Sequence, residues 1–284
     1  MTRWVEVSDG VQRLAELIAG RSWLALTGAG FSTDSGIPDY RGPASPPANP
    51  MLYADFVGDP ANRRRYWVRS YYGWPRMRQV AANPGHRALA ALGQASGLQG
   101  VITQNVDGLH TEAGSDPVLE LHGRLAEVIC LDCRASIDRA AFQRQLEALN
   151  PGLPELSVPA GEAELRPDGD LDIDDESGFV VPDCPRCAGI LKPDVVFFGE
   201  SVPKERVARA YAMVEAAQVL VVLGSSLTVM SGLRLVRYQA KRDLPVAIVN
   251  RGATRGDELA TVRLEAGTTE TILGLQELLE TAVR

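Results

Sequence analysis

Two short cysteine spacings, Cys130-x-x-Cys133 and Cys184-x-x-Cys187, carry the most specific chemistry in the chain. Two such pairs supply four thiolates, the ligand set of a tetrahedral zinc ion. Four protein ligands leave no coordination position open, so this metal is expected to be structural and not a Lewis acid. The 50 residues between the pairs (134 to 183) are a long insertion, tolerable because closure entropy grows slowly with loop length. Two disulfides are the competing reading. The opening stretch "MTRWVEVSDGVQRLAEL" has no signal-peptide apolar region, so a cytoplasmic, bacterial location is expected, where thiols stay reduced.

A second chemistry lies in "GAGFSTDSGIPDYRG", residues 28 to 42. Gly28-Ala29-Gly30 follows the apolar run 23 to 26 and opens like a dinucleotide-binding loop, whose glycines let backbone N–H groups approach a pyrophosphate. The third glycine of that fingerprint is replaced by Thr33. A hydride-transfer enzyme also places an acid about 20 residues on, after a second strand. Here that region reads "PPANP". A nucleotide loop fits, and the missing acid argues against a dehydrogenase, which stays open from these residues alone.

Four more polar loops follow presumptive strands. "VITQNVDGLH" (101 to 110) offers Gln104, Asn105 and Asp107; "LELHG" (119 to 123) offers His122. "LGSSL" (223 to 227) and "IVNRG" (248 to 252) offer hydroxyl and amide groups suited to ribose, adenine or phosphate. Each alone reads equally well as a turn, and a lone histidine is more often structural. Together they are better explained by one extended nucleotide lying across the carboxyl ends of a parallel sheet.

The elements that must position these groups alternate in type. After an N-terminal helix carrying Val11, Leu14, Leu17 and Ile18 come a strand at 22 to 27, a helix at 84 to 92 and a strand at 100 to 103. "DVVFF" (194 to 198) reads as a strand, 203 to 217 as a helix, 219 to 227 as a buried strand, 230 to 241 as a helix, "PVAIVN" as a strand and 270 to 283 as a helix. Continuous β-branched runs between amphipathic helices predict an α/β fold with a Rossmann-like, doubly wound parallel sheet. Two insertions, a helical one at 43 to 83 and the zinc module at 124 to 192, break the alternation and are expected to form a smaller lobe. The large lobe is then 1 to 42, 84 to 123 and 193 to 284. The 284 residues, 45% of them hydrophobic, suit one catalytic domain, and the net charge of −7 argues against a nucleic-acid partner. No stretch approaches the roughly 18 apolar residues of a membrane span.

Taken in order, "GAGFSTDSGIPDYRG", "TQNVDGLH", "LHG", the two cysteine pairs, "KPDVVFFGE", "GSSL" and "NRG" make the chain resemble a sirtuin, closest to class II. The resemblance implies an NAD-dependent protein-lysine deacylase whose partners are acyl-lysine proteins or peptides and whose products are nicotinamide and O-acyl-ADP-ribose. An ADP-ribosyltransferase or a weakly catalytic NAD-binding regulator is the alternative. The resemblance implies catalytic roles for His122 as general base, Asn105 at the nicotinamide ribose and Asp107 at the carboxamide. It puts Gly28, Ala29, Gly30, Asp39, Tyr40, Arg41, Gln104, Val106, Gly224, Ser225, Ser226, Asn250, Arg251, Gly252 and Thr268 around NAD. It also implies that the backbone through Val195, Phe197 and Gly199 pairs with an extended peptide. Tyr66 and Arg69, three residues apart and so on one helical face, match the Tyr-x-x-Arg pair that holds acidic acyl groups in some sirtuins; packing of Tyr66 in the small lobe is the competing reading.

Overall fold

The structure, a computed structural model, describes residues 7–40, 50–93, 96–153 and 178–282. Arg41 and the acidic stretch at 166–177 lie outside these residues. The strands are β1 (Trp23–Thr27), β2 (Leu98–Thr103), β3 (Val118–Glu120), β4 (Gly123–Cys130), β5 (Ser136–Asp138), β6 (Leu191–Val195), β7 (Val219–Leu223), β8 (Val246–Val249) and β9 (Val262–Leu264). The helices are α1 (Val7–Ile18), α2 (Tyr53–Gly58), α3 (Pro60–Met77), α4 (Pro84–Leu92), α5 (Leu109–Glu112), α6 (Arg139–Leu149), α7 (Lys204–Ala216), α8 (Met230–Lys241) and α9 (Thr268–Ala282).

Six strands form one parallel sheet in the order β3-β2-β1-β7-β8-β9. Every residue of β1 and β7 is buried, because helices cover both faces. Trp23, Ala25, Val219, Val221 and Leu223 pack with residues of α1, α4 and α9. Leu24, Leu26, Leu220 and Val222 pack with residues of α7 and α8. Each such buried aliphatic side chain contributes about 1.5–3 kcal/mol, so the continuous apolar runs fix these strands at the sheet centre.

Strand order reverses between β1 and β7, and in open α/β sheets ligands bind at that switch point, outside the carboxyl ends. The register makes those ends level. Thr27 pairs with Thr103 and Leu223, Thr103 with Glu120, and Leu223 with Val249. Gly28, Gln104, Gly224 and Asn250 therefore stand side by side, one residue beyond the sheet.

The smaller lobe joins α2, α3 and α6 to a three-stranded antiparallel sheet, β5-β4-β6. Asp59 caps α3 by accepting from Ala61 N, with Pro60 in the first turn, where its missing N–H costs nothing. Phe56, Tyr66, Trp67, Phe142, Leu146 and Phe197 build the core. Buried Arg139 ties α6 to α3 by donating to Ser70, with its guanidinium over Trp74 and a further bond to Gln143 within α6.

Two elements differ from the sequence reading. The strand expected at 194 to 198 in the large lobe is Leu191–Val195, paired antiparallel with β4 in the small sheet. An apolar run reads alike whichever sheet it joins, and here the neighbouring cysteine turn draws it to β4. The edge strand β9 was not anticipated; its central residue is Arg263, 5% exposed.

Candidate active site

The metal site follows from two equivalent turns at one end of paired strands. Cys130 is level with Leu191 across β4 and β6. Arg134 N donates to Cys130 O and Ala188 N to Cys184 O; Arg134 and Ala188 both take positive φ, 61° and 59°. Each Cys-x-x-Cys thus folds into the same loop, and the four sulfur atoms lie within 4.8 Å of one another. Cys130 Sγ is 3.5 Å from Cys187 Sγ, and Cys133 Sγ 3.7 Å from Cys184 Sγ. A tetrahedron with metal–sulfur bonds of about 2.3 Å has sulfur–sulfur edges of about 3.8 Å. The four free cysteines fit a structural zinc.

At the switch point the glycines serve to bring two loops together. Gly28 N donates to Leu223 O and Gly30 N to Gly224 O. A Cβ on Gly28 would lie 2.7 Å from Ser225 Cβ, and one on Gly224 (φ 65°) 2.6 Å from Gly30 C. No side chain fits between these turns. Thr268, expected among the cofactor residues, stands behind the loop and donates to Gly30 O.

Asn105 and Asp107 are held by the same serine. Asn105 Nδ2 donates to Gly28 O (3.0 Å) and Ser32 Oγ (2.9 Å), and Ser32 Oγ donates to Asp107 Oδ2 at 2.7 Å. Leu109 N donates to Asp107 Oδ1. With both amide hydrogens committed, the side-chain carbonyl oxygen of Asn105 is the group it presents to a ligand. Burial raises the Asp107 pKa, while the bonds from Leu109 and Ser32 pull it back. Val106 is buried in the small-lobe core. Gln104 Oε1 accepts from Ser225 Oγ at 2.7 Å, joining the β2 and β7 ends. Ser226 bonds Thr228, one step further along that loop.

His122 follows β3. Its Nδ1 lies 2.9 Å from Gln104 O and its Nε2 2.8 Å from Ser231 Oγ. Burial lowers its pKa from 6.5 to about 4, opposed by the Gln104 bond. The imidazole is neutral near pH 7, able to take a proton. His122 O also accepts from Val196 N at 2.8 Å, which sets the segment after β6 directly beside the histidine.

In that segment Phe197 is a core residue, 8% exposed, and Gly199 takes a positive φ of 81°. Tyr53 N donates to Phe198 O and Phe197 N to Glu200 Oε2. Buried Lys192 pairs with Glu200 at 3.2 Å and also bonds Pro193 O and Val195 O. Burial pulls the Lys192 pKa down against the raising pull of Glu200.

The remaining expected residues divide by position. Asn250 Nδ2 donates to Arg251 O and Gly252 O, so its amide shapes the β8 turn. Asp39 and Tyr40 are partly exposed, and the Tyr40 ring meets Phe198 at 5.9 Å. Tyr66 is 3% exposed, with its ring 5.1 Å from Phe197; Arg69 lies one turn on along α3, partly exposed. Sequence reasoning missed Ser32, although it lies inside the quoted glycine loop, and Ser231, Arg263, Lys192 and Glu200. Arg263 supports the β8 turn by donating to Asn250 O and Gly252 O while its Nε bonds Asp257.

Known proteins share this arrangement. The Sir2 family pattern matches residues 28–231, from the first glycine of the loop to the serine on His122. NAD-dependent protein deacetylase 1 of Mycobacterium avium (strain 104) is 56% identical over 257 residues, covering 90% of this chain and 91% of that protein. NAD-dependent protein deacetylase 3 of Pseudomonas syringae pv. tomato is 48% identical over 278 residues, covering 96% of this chain and 97% of its own length. A solved structure of Sir2 with a p53 peptide and NAD+ has a TM-score of 0.73 and 28% identity, covering 96% of this chain and 99% of that one. The fold likeness, the family match over 28–231 and the high identity along nearly the whole chain agree, and the chain belongs to the Sir2 family.

Proposed function

We propose that this chain is an NAD-dependent protein-lysine deacylase that, consuming one water, moves an acyl group from a lysine side chain to the ribose of its nucleotide substrate and releases nicotinamide and the free lysine. One observation carries the reading. A neutral, hydrogen-bonded histidine stands beside the Asn105–Ser32–Asp107 network, and its own backbone holds the segment Val195 to Gly199. Nucleotide chemistry and a peptide-sized edge therefore meet at one side chain. The relatives named NAD-dependent protein deacetylases and the Sir2 structure with peptide and NAD+ support it.

The residues present fit NAD. Gly28, Ala29, Gly30 and Gly224 line the pyrophosphate, where the absence of bulky side chains allows close approach; the glycine N–H groups themselves hold the two turns together. Ser225, Ser226, Asn250, Arg251 and Gly252 line the adenosine half. Asn105 offers its carbonyl oxygen to the nicotinamide ribose, and Asp107 meets the carboxamide, with Asp39 and Tyr40 at that end. NAD supplies the electrophilic ribose carbon. His122 Nε2 removes the proton of a ribose hydroxyl, so that this oxygen can take the acyl group; a positioned base contributes roughly 10²–10⁴ in rate. The segment from β6 to Gly199 binds the peptide by adding a strand, a mode in which main-chain bonds carry the affinity. Cys130, Cys133, Cys184 and Cys187 would hold a zinc ion that ties the end of β4 to the start of β6, with no open position for chemistry.

The reading is tested by incubating enzyme and NAD with a panel of acyl-lysine peptides, following nicotinamide by chromatography and peptides by mass. Release of nicotinamide matched by loss of one acyl group on at least one peptide is expected. Transfer of ADP-ribose onto protein, with every acyl group retained, would replace this function with the transferase alternative.

A further inference from the structure

His122 is engaged through both ring nitrogens. Gln104 O can only accept, so Nδ1 carries the ring proton and Nε2 presents its lone pair. The hydroxyl of Ser231, 2.8 Å away, therefore donates to Nε2. An imidazole nitrogen has one such lone pair. While Ser231 holds it, a substrate hydroxyl cannot give its proton to the same atom.

The placement of Ser231 is built into the fold. It is the second residue of α8, and the glycine after it packs on Gln104: a Cβ on Gly232 would lie 2.9 Å from Gln104 Nε2. Gln104 thus fixes the histidine through its backbone and the start of α8 through its side chain. The same side chain is anchored by Ser225 Oγ. The distance from His122 to Ser231 is set by one residue at the end of β2.

We propose that Ser231 is a positioning residue that caps the lone pair of His122 Nε2 in the resting enzyme and is displaced by the ribose hydroxyl of the nucleotide substrate. The inference rests on His122 being the base. The cap keeps the ring oriented, and the incoming hydroxyl inherits its place. No bond is made or broken in this exchange beyond the hydrogen bonds named. Because the cap competes with substrate, its removal strengthens nucleotide binding without removing the base.

The test uses the full-length protein with Ser231→Ala and Ser231→Thr. Calorimetric titration with NAD is expected to show Ser231→Ala binding about 2- to 10-fold more tightly than wild type, the factor expected for one neutral hydrogen bond, with any loss of kcat from the less constrained ring staying below about tenfold. Ser231→Thr, which keeps the hydroxyl, is expected to restore wild-type binding. Nitrogen-15 spectra of the ligand-free enzyme are expected to show Nδ1 protonated, with an Nε2 resonance that moves in Ser231→Ala and not in Ser231→Thr. Unchanged or weaker NAD binding in Ser231→Ala, or an unmoved Nε2 resonance, overturns the cap. A tenfold or greater loss of kcat also overturns it, by showing that the hydroxyl stays in place during turnover. Full activity in His122→Ala would instead remove the base on which the inference depends.

Discussion

Acid is expected to unfold this protein through its histidines, and His86 isolates the effect. The chain has three histidines, and burial depresses the pKa of each. His86 is 0% exposed and its pKa falls from 6.5 to about 4, first by burial and then by the charge of Arg87. A folded pKa below the unfolded one means that its contribution is intact above pH 6.5 and is lost as the pH falls toward 4. At about 1.4 kcal/mol per unit, the loss reaches roughly 2 kcal/mol by pH 5. The raised carboxyl groups of Asp107 and Glu120 act in the opposite direction, so wild type alone gives only a sum. His86→Gln removes that titration, together with the lesser downward pull of its charge on neighbouring His110, and keeps the local fold. His86 is the third residue of α4, where its Nδ1 accepts from Asn83 N in a capping box, and glutamine is a favoured residue at that place. Urea unfolding of both proteins at pH 7, 6 and 5, with zinc present, measures the difference. Wild type is expected to lose about 2 kcal/mol more than His86→Gln between pH 7 and 5. Curves that stay parallel within about 0.5 kcal/mol would show that the buried ring does not titrate as argued.

Cys184→Ser is expected to lose the zinc, since three thiolates leave the tetrahedron incomplete. Metal analysis of purified protein should fall from one zinc per chain toward none, and limited proteolysis should cut the small lobe first; retention of stoichiometric zinc contradicts the ligand set. Gly28→Ala forces a methyl against Ser225 and Gly224, a clash costing about 1–3 kcal/mol. It is expected to lower Tm by at least about 2 °C and weaken NAD binding; an unchanged melt would mean that the loops are looser than their contacts indicate. If the Tyr66–Arg69 pair holds acidic acyl groups, Arg69→Met is expected to abolish activity on carboxylated acyl-lysines and spare acetyl-lysine, because a guanidinium fork suits a distal carboxylate. Equal loss on both peptides would assign Arg69 to folding.

The large lobe was readable where both faces of a strand are covered. The runs that became β1, β7 and β8 are uninterrupted because helices pack on each side, and α4 announces itself by Asn83 and Pro84 at its start. β9 escaped because an apolar-run search rejects an arginine, and only the folded turn shows Arg263 bonded to Asp257, Asn250 and Gly252. β6 was seen as a strand but given to the wrong sheet, since pairing partners are not encoded in a five-residue stretch. Asn105, Asp107 and His122 were legible as polar residues after strands, and the level register shows that those strand ends lie side by side. The contact of Ser231 with His122 spans 109 positions. It exists only once β2 has fixed Gln104 between them.

The fate of the acyl group tests the account most directly. A lysine peptide carrying an isotopically labelled acetyl group, incubated with wild-type enzyme and NAD, can be followed by mass spectrometry of all products. The account predicts one nicotinamide released per lysine freed, with the label recovered on ADP-ribose, and none of this from His122→Ala. Label recovered from the first time points as free acetate, or label transfer undiminished in His122→Ala, would contradict it.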